Sequence, residues 1–280
     1  MKEMQLKDKI RNLSKIINVD FNIILRVYMY DRFIERLAVS KYRDNFILKG
    51  GFYLSSFIGV QKRSTLDIDT AIKNMKLDED NITKAIETII NIDIGDDAKI
   101  SLNKIEKIKE NDEYEGYKVF LEVHVGKIKE NFHVDIATGD VITPKEIEYT
   151  YNCILENKAI KILAYNKETI IAEKIESILS KSEANSRMKD YFDIYLICSL
   201  HLNELNEKHL ARAIANTFKQ RNFKGNIIEE FETIKNSKIL NNKWINFSKN
   251  NNYAYKIAYD DVIESVENII KICEKTLCHN

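Results

Sequence analysis

Residues 46–72, FILKGGFYLSSFIGVQKRSTLDIDTAI, constrain this chain more than any other stretch. The apolar run Phe46-Ile47-Leu48 reads as a short strand that enters Lys49-Gly50-Gly51, and a helix over Phe52–Ile58 follows. After a basic loop comes Leu66-Asp67-Ile68-Asp69, a segment of strand character. Two acids two residues apart on a strand leave the same face. Like charges held that close are costly unless a cation or a proton lies between them. With oxygen ligands the natural cation is Mg²⁺, which keeps waters and shares substrate phosphates. The Gly-Gly turn lets backbone N–H groups approach an anion, and the helix behind it points its positive end the same way. Singly, a Gly-Gly turn or an Asp-x-Asp strand is an ordinary turn or a solvated edge. In this order, within one unit, they are the equipment of nucleotidyl transfer.

The rest of the composition bounds the setting. Lys+Arg and Asp+Glu are both 43, so no global field advertises nucleic acid, and RNA contact has to come from a local patch. One proline and eight glycines in 280 residues leave no room for long structureless linkers. Cys153, Cys198, Cys273 and Cys278 are scattered, with no CxxC pair, as suits a reduced compartment. The charged N-terminus and the lack of any apolar run near ~18 residues predict a soluble, cytoplasmic protein with no signal peptide or membrane span.

Helices are expected over 4–18 and 20–40, the second capped by Asp20. Its charged residues Asp31, Arg32, Glu35 and Arg36 read as a solvated face. A helix over 78–91 has Asp78 as cap and Ile82, Ile86 and Ile89 on one side. Strands follow at 99–108 and 117–125, the latter alternating Val119, Leu121, Val123 and Val125 against Phe120, Glu122 and His124. With the polar 109–116 connection they suggest a meander. In 131–137, Phe132, Val134 and Ile136 face the core and put His133 and Asp135 on the other side. Asp135 is a candidate third carboxylate; His133 and His124 read as ordinary sheet residues. The sheet is expected to end near Pro144.

Beyond it the pattern is helical. Asn166 caps a helix to about Lys181, with Ile171, Lys174, Ile175 and Ile178 on one face and Glu173 on the other as a surface acid. A lysine in an apolar stripe snorkels outward or reaches an anion. The helix over 186–200 is apolar nearly all round, so Asp190 and Asp193 need partners: a structural bridge to Arg187, Lys174 or Lys189, or a nucleotide, a metal or a catalytic role. Helices follow over 201–222 and 226–237, then a less regular stretch with Trp244, Phe247, Tyr253 and Tyr255, and a last helix over 259–275.

The unit KGGFYLSS…KRSTLDIDT, followed by ILAYNKETIIAEKIESIL and RMKDYFDIYLI, resembles the AbiEii/AbiGii toxins, bacterial nucleotidyltransferases of the polymerase-beta-like superfamily. The resemblance implies an α+β fold, a small mixed or antiparallel sheet flanked by helices and followed by a mainly helical C-terminal domain. It divides the chain into 1–150, the nucleotidyltransferase domain with its N-terminal helices, and 151–280, which completes the nucleotide site. Gly50 and Gly51 match the turn that holds the triphosphate, where the superfamily usually has Gly-Ser. Asp67 and Asp69, with Asp135 as the third acid, are the expected ligands of Mg²⁺ or Mn²⁺. Lys174 and Asp190 match the second and third blocks and join the expected catalytic set. Lys49, Arg63, Ser64, Thr65, Lys189 and Asp193 are expected nucleotide contacts. The resemblance also implies an NTP substrate, an RNA acceptor with the tRNA 3′ end first, a cognate antitoxin, and a place in abortive infection and phage defence. Modification of a protein hydroxyl, a non-catalytic NTP-binding module and a kinase-like phosphotransferase stand as alternatives.

Overall fold

The computed structural model describes residues 1–65, 67–108, 116–138 and 141–277. Leu66, Cys278 and the 109–116 connection, apart from Gly116, lie outside the described residues. The chain divides into two compact units, Met1–Gly139 with Glu146–Ala164, and Asp140–Lys145 with Tyr165–Asn280.

The first unit is built on a mixed sheet of seven strands among the described residues. In chain order they are β1 (Phe46–Lys49), β2 (Ile68–Ile72), β3 (Ala98–Lys107), β4 (Gly116–Val125), β5 (Ile128–Ala137), β6 (Ile147–Asn152) and β7 (Ala159–Ala164). Their spatial order is β3-β4-β5-β2-β1-β7-β6. β3, β4 and β5 form the expected meander of antiparallel pairs, and β2 joins it by pairing parallel to β5. Period-2 alternation buries Val119, Leu121, Val123 and Val125 completely, and Phe132, Val134 and Ile136 nearly so. Helices α1 (Glu3–Ile17), α2 (Phe21–Val39), α3 (Gly50–Ile58) and α4 (Glu79–Ile90) belong to this unit. Asp20 and Asp78 cap α2 and α4 as read, accepting from the amides of Asn22 and Asn81. Tyr30 of α2 meets Phe52 and Phe132 edge-on, with centroids 5.5 and 5.0 Å away.

Two expectations are corrected here. The sheet does not end near Pro144: β6 and β7 follow it, β7 pairing parallel to β1 and antiparallel to β6. The expected 150/151 division falls inside β6. Nor do Asp31, Arg32, Glu35 and Arg36 form a solvated face, being only 0, 2, 3 and 3 % exposed. The end of β6 and the segment joining it to β7 meet Asp31, Arg32 and Glu35, and Asp96, before β3, meets Arg36. Asp31 accepts from the Tyr151 hydroxyl at 2.5 Å and the Ile154 amide at 2.9 Å. Arg32 meets Glu35 at 2.5 Å and Glu156 at 2.9 Å, Lys158 bonds Glu35, and Arg36 takes Asp96 in a two-pronged pair. Helical periodicity reports that a face is charged, but not which distant segment will bring complementary charge to it.

The second unit is helical: α5 (Lys167–Lys181), α6 (Met188–His201), α7 (Glu207–Gln220), α8 (Ile227–Lys235), α9 (Lys238–Asn250) and α10 (Tyr259–Leu277). Asn166 caps α5 by accepting from the Thr169 amide at 2.8 Å. The stretch read as less regular contains α9, capped by Ser237, with Trp244 buried and donating to the Ile257 carbonyl. Among the described residues no helix is long and apolar enough to cross a membrane.

Candidate active site

The acids of the first unit gather because three strands place them in register. Lys49, the last residue of β1, is opposite Asp69 in the antiparallel β1–β2 pair. On its other side Asp69 is opposite Asp135, in the parallel β2–β5 pair. Asp67 immediately precedes β2 and leaves on the same face as Asp69.

The glycine turn is shaped around this row. Gly50 has φ +61°, a left-handed conformation that glycine adopts without cost. A Cβ there would lie 2.3 Å from Asp69 Oδ2, so side-chain volume is excluded as well. The Gly51 amide donates to that same oxygen at 3.1 Å, which puts the Asp69 carboxylate at the positive end of α3. Where the resemblance leads one to expect serine, a Cβ on Gly51 would stand 3.0 Å from Arg63 Nη2 and 3.1 Å from Thr65 Oγ1. Arg63 is buried, donates to the Ser64 carbonyl, and its own carbonyl accepts from the Ser55 hydroxyl. The loop residues Arg63, Ser64 and Thr65 are thus brought to the turn.

His133, read from the sequence as an ordinary sheet residue, belongs to the acid cluster. Its Nε2 lies 2.7 Å from Asp67 Oδ1, 3.9 Å from Asp135 Oδ1 and 3.3 Å from Lys118 Nζ. Lys118, opposite Asp135 in the β4–β5 pair, reaches Asp135 Oδ2 at 3.5 Å. The available signal was the alternation that put His133 on the face of Asp135.

Burial pushes the Asp69 carboxyl up; the Lys49 ammonium opposes this, while Asp135 and Asp67 add to it. Burial also pushes Asp135 up, against Lys118 and His133. Asp135 Oδ1 is buried and accepts no hydrogen bond. Desolvated, mutually repelling carboxylates with an unused oxygen are the donor set a hard divalent cation suits. Among the described residues no three His, Cys, Asp or Glu side chains enclose an ion by themselves.

In the second unit, Lys174 of α5 neither snorkels nor waits for an anion. Its Nζ lies 2.8 Å from Asp190 Oδ1 and 2.6 Å from Asp193 Oδ2, both on α6. Burial alone would pull this lysine down, but the two carboxylates outweigh it and hold its pKa above the ordinary value. Asp193 is fully buried and Asp190 partly so, while Lys189 is exposed. Glu173 is not the surface acid of the helical projection: it is partly buried, 3.5 Å from Arg221, the residue that follows α7.

The architecture is that of a nucleotidyltransferase. The chain shares its fold with the crystal structure of JHP933 from Helicobacter pylori at a TM-score of 0.53 and 17% identity, covering 93% of this chain and 96% of that one. It also shares it with MenT4, a nucleotidyltransferase toxin from Mycobacterium tuberculosis, at a TM-score of 0.55 and 12% identity, covering 94% and 98%. Residues 32–265 match the family described as "Nucleotidyl transferase AbiEii toxin, Type IV TA system", and the chain belongs to that family. It is accordingly a transferase. No curated protein matches it by sequence.

Proposed function

We propose that this protein is the toxin of a toxin–antitoxin pair that transfers NMP from an NTP to an RNA acceptor, the tRNA 3′ end first, in a divalent-metal-dependent reaction. The observation that carries the reading is the row Lys49–Asp69–Asp135 across three strands, set against the Gly50-Gly51 turn at the start of α3.

Asp67 and Asp69, with Asp135 as the third acid, would hold Mg²⁺ or Mn²⁺, which when bound neutralises charge on the phosphate oxygens. The turn and Lys49, with Arg63, Ser64 and Thr65 from the adjoining loop, bind the triphosphate. The acceptor hydroxyl oxygen attacks the α-phosphorus, the bond to the β-phosphate bridging oxygen breaks, and pyrophosphate leaves. Asp135 takes the hydroxyl proton; burial raises its affinity for one. Modified tRNA would stall translation and arrest growth, the outcome abortive infection requires, and a cognate antitoxin would prevent it.

The test is incubation of purified protein with Mg²⁺, total tRNA and each α-labelled NTP, beside Asp69→Ala. Label in tRNA, lost in the variant, supports the proposal and names the base. Label found only in protein moves the acceptor to a protein hydroxyl. NTP binding with no label anywhere makes the chain a non-catalytic module.

A further inference from the structure

The outward face of the β3–β4–β5 meander carries an aromatic side chain in charged surroundings. Alternation sends Val119 and Leu121 into the core and leaves Phe120 pointing outward, half-buried, with Lys118 and Glu122 as its neighbours on that face. Cross-strand register places Lys104 of β3 on one side of Phe120 and His133 of β5 on the other. Lys104 Nζ stands 4.4 Å from the ring centroid, and the His133 ring lies 5.7 Å away, tilted by 43°. A groove of about 480 Å³ opens here, lined by Lys104, Phe120, Glu122, Asn131 and His133.

His133, which lines this groove, also belongs to the acid cluster. Nε2 of its ring touches Asp67 at 2.7 Å. Phe120 on β4 is two strand spacings from β2, about 10 Å, a distance on the scale of one nucleotide. The strand order also separates the two sides of the acids. The glycine turn follows β1 on one flank of β2, whereas β5 and the Phe120 groove lie on the other. An in-line displacement at phosphorus needs its leaving group and its attacking group on opposite sides of the reacting atom. With the triphosphate at the turn, the attacking hydroxyl comes from the Phe120 side.

We propose that this groove is the acceptor subsite, in which the 3′-terminal base of a single-stranded RNA end stacks on Phe120 and its ribose hydroxyl is presented to Asp67, Asp69 and Asp135. The inference rests on the RNA-transfer reading above. A base needs only a π face and tolerates any sequence, which suits a ring flanked by one cation and one imidazole. Lys104 and Lys129 supply charge for the RNA backbone. Lys104 now pairs with Glu106 in an exposed ion pair of the kind that contributes little, and Lys129 pairs with the groove-lining Glu122. Asn131 offers an amide to the base edge.

The experiment uses the full chain and a fluorescein-labelled single-stranded RNA with a free 3′ hydroxyl. Steady-state transfer is measured for wild type, Phe120→Ala and Phe120→Trp, and RNA binding is followed by anisotropy. Phe120→Ala should raise KM for the RNA about tenfold, at the low end of what a base–aromatic stack contributes. KM for the NTP should stay within about twofold, which also certifies the fold, and Phe120→Trp should restore RNA affinity. Wild-type transfer with an unchanged RNA KM in Phe120→Ala overturns the subsite alone. Equal losses toward RNA and NTP overturn it as well, because the effect is then structural. Wild-type protein that labels no RNA, or labels protein instead, overturns the transfer reading and the subsite with it.

Discussion

Asp69 on β2 and Asp135 on β5 stand directly opposite each other in a parallel strand pair. Backbone register brings these like charges together, and the Thr70 hydroxyl, donating to the Asp135 carbonyl at 3.1 Å, reinforces it. The fold thereby holds a repulsion that an isolated peptide would relax.

Removing one of the acids should therefore separate function from stability. Asp69→Asn keeps the shape and an acceptor for the Gly51 amide, and it deletes a desolvated charge. Transfer should fall by at least about 10²-fold, while thermal unfolding stays where it was or moves up. A substantial drop in melting temperature would mean that the carboxylate is part of the scaffold. Retained activity would remove Asp69 from the chemistry.

Gly50→Ala should do the opposite and damage both. The new Cβ meets Asp69 Oδ2 at 2.3 Å, and the left-handed φ adds strain. A loss of about 1–3 kcal/mol in urea denaturation is expected, together with loss of label transfer. An active, fully stable variant would show that the turn relaxes without moving Asp69.

The buried network on α2 predicts a pH dependence. Burial raises the Asp31 carboxyl to about 7 from an ordinary value of 3.8, even though Tyr151 and Ile154 donate to it. A raised folded-state pKa means that the native protein holds this proton more tightly than the unfolded chain. That stabilisation is complete below about pH 4 and is lost as pH rises to about 7. Wild type should then lose more stability between pH 5 and 8 than Asp31→Asn does, by up to a few kcal/mol in the order-of-magnitude sense of linkage. Parallel melting curves across that range would show Asp31 to be ionised throughout.

Lys174 is expected to be structural. Lys174→Met leaves Asp193 charged, fully buried and without its lysine, a change that costs about 3–5 kcal/mol. Adding Asp193→Asn should recover part of that loss. A double-mutant cycle in chemical denaturation measures the coupling. Strict additivity would contradict the 2.6 Å pair.

Much of this was legible in the chain. The strand–turn–helix unit, the caps at Asp20, Asp78 and Asn166, and the alternation through β4 and β5 are local and follow from backbone geometry and side-chain period. Alternation also assigned Asp135 to the face opposite the core, and the gathering of Asp67, Asp69 and Asp135 follows from it once β5 is known to flank β2. The α+β class was readable for the same reason. The failures share one form. Asp31, Arg32, Glu35 and Arg36 were read as solvated because their partners, Asp96 before β3 and the segment from the end of β6, lie far along the chain. Glu173 was read as exposed because Arg221, just past α7, reaches it from elsewhere in the chain. β6 and β7 were missed because a short hairpin carries a weak signal beside strong helical ones.

The sequence by itself determined most of the elements, the face on which the alternating strand residues leave, and the family the chain belongs to, because these depend on spacing within short segments. Only the tertiary structure decided who meets whom: His133 with Asp67, Lys174 with Asp190 and Asp193, Arg63 against Gly51, and Phe120 at the mouth of a groove. Periodicity states which side a group faces. The partner waiting there is set by strand order and register, which arise from packing the whole chain at once.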